Sequence, residues 1–454
     1  MKPRSAILFV TTLSSFLTPF MGSAINIALP AIGVDLSMNT IQLGWVSNAY
    51  LLAAAIFLLP FGRLSDLYGR KKLFIGGIFV FFTASILSAI AGSPLLLLTS
   101  RVLNGIGGAL IYSTAIAILT STFNKEERGK VLGINVAAVY LGLSLGPTFG
   151  GFLTMYSGWR SIFIFTAVLS LITIPISFRF LKKEKPDSIR QKFDIKGSLI
   201  YGVSLSLIVY SFPSIATLHG IMLLAIGLAG FTLFFLYEAR IYNPLIDVRK
   251  FKSNQIFIFS NIAAFINYSA TFALVFLLSL YLQQVLKLSP SEAGLIIMAQ
   301  PIAMTILSPL AGKLSDKIEP QIVASIGMGI TVIGLFAFAT LDSSDGKWFI
   351  VSMLILLGLG FALFSSPNTN AVMSSVKQNE YGVASSVLGT MRLTGQTMSM
   401  GISMMIFALI MGQTGKEISN TSGLLASIKV TFLVFALLSV VGVFFSLKRG
   451  KMRS

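Results

Sequence analysis

The chain alternates long apolar segments with short polar ones along its whole length. About 20 mostly apolar residues are enough for a helix to cross the hydrocarbon core of a bilayer. This pattern predicts an all-α polytopic membrane protein with fourteen spans, an even number that puts both ends of the chain on one side. We expect the spans near residues 6–30, 41–61, 73–92, 95–120, 130–155, 160–180, 195–213, 219–238, 255–283, 290–311, 321–341, 348–366, 381–411 and 426–447.

The beginning of the chain fits this pattern. Lys2 and Arg4 precede an apolar run that reaches about Ile32 and is longer than the core of a signal peptide. We therefore expect this run to be retained as the first span.

Composition supports a membrane protein, because hydrophobic residues make up 55% of the chain and charged residues only 11%. A net charge of +18 would suit nucleic acid if it formed a patch on a polar fold, but the basic residues lie in short loops. No nucleic-acid partner is predicted. The chain has no cysteine and one histidine, which excludes disulfides and thiol catalysis and argues against a metal site. No metal or cofactor is predicted.

The positions of the 34 lysines and arginines predict the orientation. With the amino terminus inside, 27 of them fall on the inner side, 5 on the outer side and 2, Arg101 and Arg392, within spans. Loops rich in lysine and arginine stay in the cytoplasm. Both termini are therefore predicted to be cytoplasmic, in a multi-pass protein of the cell membrane.

A charged sequence with two glycines, Gly62-Arg-Leu-Ser-Asp-Leu-Tyr-Gly-Arg-Lys-Lys72, joins the second and third spans, and its first half recurs as Gly312-Lys-Leu-Ser-Asp316. A polar signature that occurs twice between apolar runs is typical of a transporter built from two related halves. Cations that only set topology would not explain the repeated Gly-x-Leu-Ser-Asp register. We predict a gating loop that closes the cytoplasmic side in one state and contains Gly62, Arg63, Asp66, Gly69, Arg70, Lys71 and Asp316.

The fifth span carries a second pattern, Gly-x8-Gly-x3-Gly-Pro-x2-Gly-Gly. Three of its glycines lie one helical turn apart, so one flank of the helix has no side chains and can approach a neighbouring helix closely. The proline adds a bend and frees a carbonyl group. The pattern begins at Gly133, and its central residues are Gly142, Gly146, Pro147, Gly150 and Gly151.

Two arginines lie at membrane depth, where a charge must face protein or water rather than lipid. Arg101 shares one helix face with Asn104, Gly105 and Gly108, and Arg392 lies on a polar stripe of the thirteenth span. We predict that both arginines supply cavity or coupling charges. The side chains expected to line a substrate cavity are Asn26, Asn48, Asn104, Asn261, Phe265, Tyr268 and Gln396. Helix packing without substrate contact would give the same stripes.

The loop from Gly62 to Lys72 resembles the loop motif of the major facilitator superfamily, and the fifth-span pattern resembles the antiporter signature of its drug exporters. Further segments resemble the fourteen-helix drug:proton antiporter family and together extend over nearly the whole chain: Arg101-Val-Leu-Asn-Gly-Ile-Gly-Gly-Ala109, Ala24-Ile-Asn-Ile-Ala-Leu-Pro30, Trp45-Val-Ser-Asn-Ala-Tyr50, Phe193-Asp-Ile-Lys-Gly197 and Leu280-Tyr-Leu-Gln283. The resemblance implies a major facilitator fold of two six-helix bundles plus a two-helix insert. It also implies that Arg101 takes part in proton transfer.

The chain departs from the resembling family in its first span. Relatives commonly carry an aspartate at the position that is Met21 here, and none of the sixteen acidic residues falls clearly at mid-membrane. A proton antiporter usually needs a buried carboxylate, and a cationic drug needs a negative partner. We therefore expect neutral, zwitterionic or anionic amphiphiles as substrates, with Asp66 or Glu238 as the remaining candidates for a coupling acid.

These patterns predict three regions: an N-terminal six-helix bundle (1–181), a linker with a two-helix insert (182–250) and a C-terminal six-helix bundle (251–454). We expect the insert to be a spacer that faces lipid. The predicted function is proton-coupled export of amphiphilic small molecules by a monomer in the lipid bilayer. An importer or uniporter of a small organic anion would use the same two arginines, and a non-transporting membrane sensor is the alternative from another class. No nucleophile and base, metal cluster or phosphate loop suggests an enzyme.

Overall fold

The computed structural model of the chain describes residues 3–181, 193–241, 244–246, 254–377, 381–412 and 421–450. Within these ranges, fourteen helical segments are long and apolar enough to cross a membrane, which confirms the predicted all-α fold. In the first eight spans the helices are Pro3–Asp35, Thr40–Tyr68, Arg70–Ala89, Pro94–Thr122, Lys125–Ser157, Arg160–Phe180, Ile195–Ser211 and Leu218–Glu238.

Two of the later spans are interrupted. The ninth consists of the helices Gln255–Thr271 and Leu274–Leu280 and a π-helical turn, Tyr281–Val285, and the tenth consists of Pro290–Ile297 and Ala299–Lys317. The last four helices are continuous: Pro320–Ala339, Lys347–Ser374, Tyr381–Met411 and Thr421–Lys448. Because the number of crossings is even, both ends of the described chain lie on one face of the bundle, here called the terminal face; the other is the opposite face.

Short polar sequences fix where these helices begin. Asn39 and Gln42 form a capping box at the second span, and Ser289 and Glu292 form one at the tenth. Each cap satisfies backbone N–H groups that a helix start leaves without partners. The long apolar helices are thus separated by polar turns at the faces of the bundle.

The two six-helix bundles repeat one packing arrangement. In the first bundle the closely packed pairs of spans are 1 with 5, 3 with 4, 2 with 4, 3 with 6 and 1 with 6. In the second bundle the corresponding pairs, each shifted by eight spans, are 9 with 13, 11 with 12, 10 with 12, 11 with 14 and 9 with 14. The halves meet along two seams, span 2 with span 13 and span 5 with span 10. This arrangement is that of parallel repeats related by an axis along the membrane normal.

The described part of the two-helix insert packs against the seam formed by the second and thirteenth spans. The Tyr201 hydroxyl of the seventh span donates to the Ala55 carbonyl of the second span at 3.3 Å and lies 3.5 Å from the Thr394 hydroxyl of the thirteenth. The Tyr210 ring packs against Trp45, with centroids 5.9 Å apart. The eighth span, by contrast, is largely exposed and apolar. The exposed apolar surface of the eighth span fits the lipid-facing role expected for the insert. The seventh span, in contrast, packs over the junction between the halves.

Candidate functional site

A cavity lies between the halves, at mid-depth in the bundle. It contains about 1460 Å³ of space free of protein atoms, including the part that opens to solvent, and is lined by spans of both halves. Ligand pockets in proteins combine apolar walls with a few polar groups. The lining of this cavity has that composition.

Arg392 is the charged side chain of this lining. Its guanidinium lies over the ring of Tyr268, 5.4 Å from the centroid, and the described residues offer it no hydrogen bond or ion pair. Gln396 follows one turn along the same helix and also lines the cavity. No acidic side chain belongs to the described lining. The cavity can thus offer a cation, ring faces and amide groups to a ligand, but no described carboxylate.

Asn26 contributes a polar group from the first half. Its Nδ2 donates to the Gly22 carbonyl at 3.1 Å, and its Oδ1 accepts from the Ser47 hydroxyl at 2.6 Å. These bonds fix the amide in the cavity wall and tie the first span to the second. Three tyrosines of the first half line the cavity as well: Tyr50, Tyr112 and Tyr140.

The interruptions of the ninth and tenth spans adjoin the cavity. Thr271 and Phe272 line it at the break in the ninth span, where the Ala273 amide donates to the Ser399 hydroxyl of the thirteenth span at 3.0 Å. Gln300 and Pro301 line it just after the break in the tenth. Irregular backbone within a membrane is stable where neighbouring protein satisfies its polar groups, so these breaks can expose main-chain atoms beside a ligand.

Arg101 lies behind this cavity rather than in its lining. It is fully buried; its Nε donates to the Val46 carbonyl at 2.9 Å, and its guanidinium lies 4.7 Å from the ring centroid of Tyr50. Tyr50 lines the cavity and donates to the Thr18 carbonyl at 3.1 Å. Arg101 can therefore affect the cavity through Tyr50, because a cation over an aromatic face restrains the ring.

The other side chains predicted to line the cavity are not part of its lining. Asn104 is held in a buried polar group, with its Nδ2 3.3 Å from both the Phe81 carbonyl and Ser85 Oγ. Asn48 is fully buried, and neither amide atom has a hydrogen-bond partner among the described residues. Asn261 donates from its side chain to the Phe257 carbonyl at 2.8 Å, while Phe265 packs in the apolar cluster beside the insert.

Met21, at the position where relatives commonly carry an aspartate, is fully buried in the apolar core.

The glycine pattern of the fifth span has two contact surfaces. A Cβ at Gly142 would lie 2.6 Å from the Phe16 carbonyl oxygen, and one at Gly150 would lie 2.9 Å from the Cα of Ala24, so this flank packs directly on the first span. Gly146 packs on Ser23 in the same way. The other surface faces the second half, where a Cβ at Gly151 would overlap the Pro290 carbonyl oxygen.

Close contacts between the halves lie toward the opposite face. A Cβ at Gly294 would overlap the Pro147 carbonyl oxygen, and Thr148 Oγ1 donates to the Gly294 carbonyl at 3.3 Å. Gln283 Nε2 donates to the Ile27 carbonyl at 2.9 Å. These contacts, together with the one at Gly151, form the opposite-face seal.

The repeated loop motif has the same local structure in both copies. Ser65 Oγ donates to the Gly62 carbonyl at 2.7 Å, and Ser315 Oγ donates to the Gly312 carbonyl at 2.8 Å. Gly69 has φ +94°, a backbone conformation that L side chains rarely adopt, and separates the second and third helices.

The cations of the first copy contact helix ends of their own half. Arg70 Nη1 donates to the Ala117 carbonyl at 3.2 Å, and Lys71 Nζ donates to the Phe178 carbonyl at 3.1 Å near the end of the sixth helix. Arg63 also interacts with another residue of the chain. The side chains of Asp66 and Asp316 lie outside the described residues.

Two features of the site were not singled out from the sequence. Tyr112 continues the helix face of Arg101, Gly105 and Gly108, so extending that stripe by one turn would have found it. Arg449, one of the 27 basic residues on the predicted inner side, is fully buried, and its Nη1 donates to Asn368 Oδ1 at 3.0 Å. Nothing in the local sequence distinguishes it from its basic neighbours.

Two related helical bundles around a mid-depth cavity define a membrane transporter. A family model described as Major Facilitator Superfamily matches residues 11–399, and the chain belongs to that superfamily. It is accordingly a transporter and not an enzyme.

Its relatives include named carriers. The riboflavin transporter RibZ of Clostridioides difficile is 30% identical, with 99% of each chain covered. The multidrug resistance protein Stp of Mycobacterium tuberculosis is 28% identical over 87% of this chain and 74% of its own. A solved bacterial homologue of the human lysosomal transporter Spinster, in an inward-facing and unoccupied conformation, has a TM-score of 0.74 at 16% identity and covers 99% of this chain and 97% of its own. That similarity concerns the fold alone.

Proposed function

We propose that this transporter exports neutral or anionic aromatic amphiphiles from the cytoplasm, by alternating access and in exchange for protons. The observation that carries the proposal is the character of the cavity: one arginine without a described hydrogen-bond or ion-pair partner, several tyrosine rings and no acid in the described lining. A hydrophobic cation would meet Arg392 without a counter-charge, which disfavours its binding. Relatives named for multidrug resistance and multidrug transport support export of drug-like compounds.

The proposed direction rests on orientation and on the seal. The distribution of lysine and arginine supports cytoplasmic termini, which would make the opposite face extracellular. The opposite-face seal would then close the outside of the described state, and the gating loop would close the inside of the alternate state. A substrate would load from the cytoplasm and leave after the seal opens.

Transport by purified protein in proteoliposomes tests this function. Three aromatic amphiphiles of matched size, one cationic, one neutral and one anionic, are offered with and without a pH gradient. We expect gradient-driven transport of the neutral and anionic probes and little transport of the cation. Strongly gradient-driven transport of the cation alone would contradict the proposal.

Transport of riboflavin is a second candidate function. It is favoured by the relative named a riboflavin transporter, which matches over nearly the full length of both chains. The cavity offers ring faces for a flat heteroaromatic molecule and amide groups at Asn26 and Gln396 for its polar edge. Quenching of riboflavin fluorescence by purified protein tests binding, and a lack of quenching by folded protein would exclude it.

Vesicles of the two orientations separate export from its alternatives. An exporter accumulates substrate in inside-out vesicles, whereas an importer accumulates it in right-side-out vesicles. A uniporter of an organic anion equilibrates its substrate in both without responding to the pH gradient. We expect accumulation in inside-out vesicles.

A further inference from the structure

Two carboxyl groups meet at the end of the two-helix insert that lies on the terminal face. Asp194 caps the seventh helix, where its Oδ1 accepts hydrogen bonds from the Gly197 amide at 2.9 Å and from the Tyr237 hydroxyl at 3.3 Å. Glu238 ends the eighth helix and is fully buried. Its Oε2 accepts a hydrogen bond from the Ile246 amide at 3.0 Å. Each carboxyl group is therefore held by one of its oxygens.

The second oxygen of each group lacks a donor. Asp194 Oδ2 and Glu238 Oε1 are both buried and have no hydrogen-bond partner among the described residues. Both oxygens lie beside Gly197, so close that a Cβ at that glycine would overlap each of them. A buried oxygen without a donor is unfavourable, so two such oxygens beside one glycine call for a shared donor.

We propose that Asp194 and Glu238 share one proton and that this pair is a proton-binding site of the transport cycle. Two adjacent carboxylates away from water cannot both be ionised, because each raises the cost of charging the other. A single proton between Asp194 Oδ2 and Glu238 Oε1 would give both oxygens a partner at once. The site thus has the chemistry that the central cavity lacks.

The charged and titratable groups around the pair leave it without a described counter-ion. Tyr237 donates from the eighth helix, and the described part of the segment after that helix contributes the backbone amide of Ile246. Lys196 and Arg240 lie near the pair in sequence, but within the described chain neither forms an ion pair with it. Because no described cation compensates it, the net charge of the pair changes when the pair gains or loses a proton.

The pair is connected to the junction of the two halves. Ile246, whose amide binds Glu238, packs in an apolar cluster with Leu59 of the second span and Val387 of the thirteenth. Tyr201, on the helix that Asp194 caps, contacts the same two spans. Gaining or losing the proton alters the hold of the insert on the seam that must open or close at the terminal face. This role rests on the proposed proton-coupled function.

Two variants test the pair, Glu238→Gln and Asp194→Asn, because asparagine is also a good helix cap and should leave the seventh helix intact. The matched control is Glu127→Gln, an exposed acid at the terminal face whose ion pair with Arg4 spans 3.4 Å. Proton binding is titrated in detergent with a pH indicator. Transport is measured in proteoliposomes, both as accumulation driven by a pH gradient and as exchange of labelled for unlabelled substrate without one.

We expect each pair variant to bind one proton fewer than wild type and to lose about tenfold in gradient-driven accumulation, while exchange stays near that of wild type. The control should match wild type in all three measurements. A variant that is folded, judged by size-exclusion chromatography, and accumulates substrate like wild type would overturn the inference. Wild-type transport that ignores the gradient would instead overturn the proposed coupling, and the titration would still decide whether the pair binds a proton. If Glu238→Gln does not fold, Asp194→Asn carries the test.

Discussion

The guanidinium of Arg392 lies 5.4 Å from the ring centroid of Tyr268, so a cation and an aromatic face from two neighbouring helices meet in the wall of the central cavity. A cation over an aromatic ring contributes about 0.5–1 kcal/mol when exposed and more when water is excluded. This contact holds the guanidinium in place while leaving its N–H groups free for a ligand.

Replacing Arg392 with glutamine should change which substrates are accepted. Loss of a charge-assisted hydrogen bond of about 1.5–3 kcal/mol predicts a drop of roughly tenfold or more in affinity for an anionic probe, with little change for a neutral one. Binding titrations with both probes measure the difference. Arg4→Gln is the control, since Arg4 is exposed at the terminal face. Equal losses for both probes would argue against a charge-selective role.

The two glycines of the loop motif should respond differently to alanine. Gly69 has φ +94°, so Gly69→Ala places a side chain in a strained conformation that costs about 1–3 kcal/mol. A Cβ at Gly62 would meet nothing within 4 Å, so Gly62→Ala should be neutral or slightly stabilising. Thermal unfolding of the two purified variants compares them directly. A lower unfolding temperature for Gly62→Ala than for Gly69→Ala would contradict this account.

The fifth span offers a second matched pair of glycines. Gly150→Ala forces a methyl group against the backbone of Ala24, an overpacking that costs about 1–3 kcal/mol, whereas Gly133 has open space around it. We expect Gly150→Ala to lower the unfolding temperature and Gly133→Ala to leave it near wild type. Equal unfolding temperatures for the two variants would contradict this prediction, because they would mean that the first span can move away from the fifth without a loss of stability.

Gly151 should control the opposite-face seal. Gly151→Ala would press on the Pro290 carbonyl of the other half, whereas a Cβ at Gly92, in the loop after the third span, would meet nothing within 4 Å. Gly151→Ala should therefore weaken the opposite-face seal and favour opening of the opposite face. Because the chain has no cysteine, a single Thr271→Cys in the cavity reports opening through labelling by an impermeant maleimide from that side. Faster labelling with Gly151→Ala than with Gly92→Ala is expected; slower or equal labelling would contradict it.

Arg449 should matter for folding, unlike its basic neighbour Lys448. Arg449→Gln would leave Asn368 Oδ1 without its charged donor and should destabilise the second half by about 1–3 kcal/mol. Lys448 lies over the ring of Phe444, so Lys448→Gln should have a smaller effect. Thermal unfolding again provides the comparison, and a larger loss for Lys448→Gln would refute the assignment.

Hydropathy predicted all fourteen spans because a long apolar run has few alternatives to a membrane helix. It did not predict the breaks in the ninth and tenth spans, since these depend on partners such as Ser399 from another helix. The division of the chain at residues 182 and 250 stays a prediction.

The candidate site was predictable only in part. Arg392, Tyr268 and Gln396 lie together because their helices face the cavity, a direction that a stripe alone cannot give. Asn104 and Asn261 belong to equally polar stripes that point into helix contacts. The pairing of Asp194 with Glu238 required the hairpin to close and was invisible in the linear sequence.

The insert makes the two seams between the halves unequal. Where the second and thirteenth spans meet, protein covers the junction, while the fifth and tenth spans present exposed apolar side chains such as Phe152 and Ile306. Acyl chains therefore surround one junction and not the other. The thickness and fluidity of the bilayer therefore affect the relative motion of the two halves at the junction of the fifth and tenth spans. Although the two bundles pack in nearly the same way, the lipid acts on one side of the transporter more than on the other.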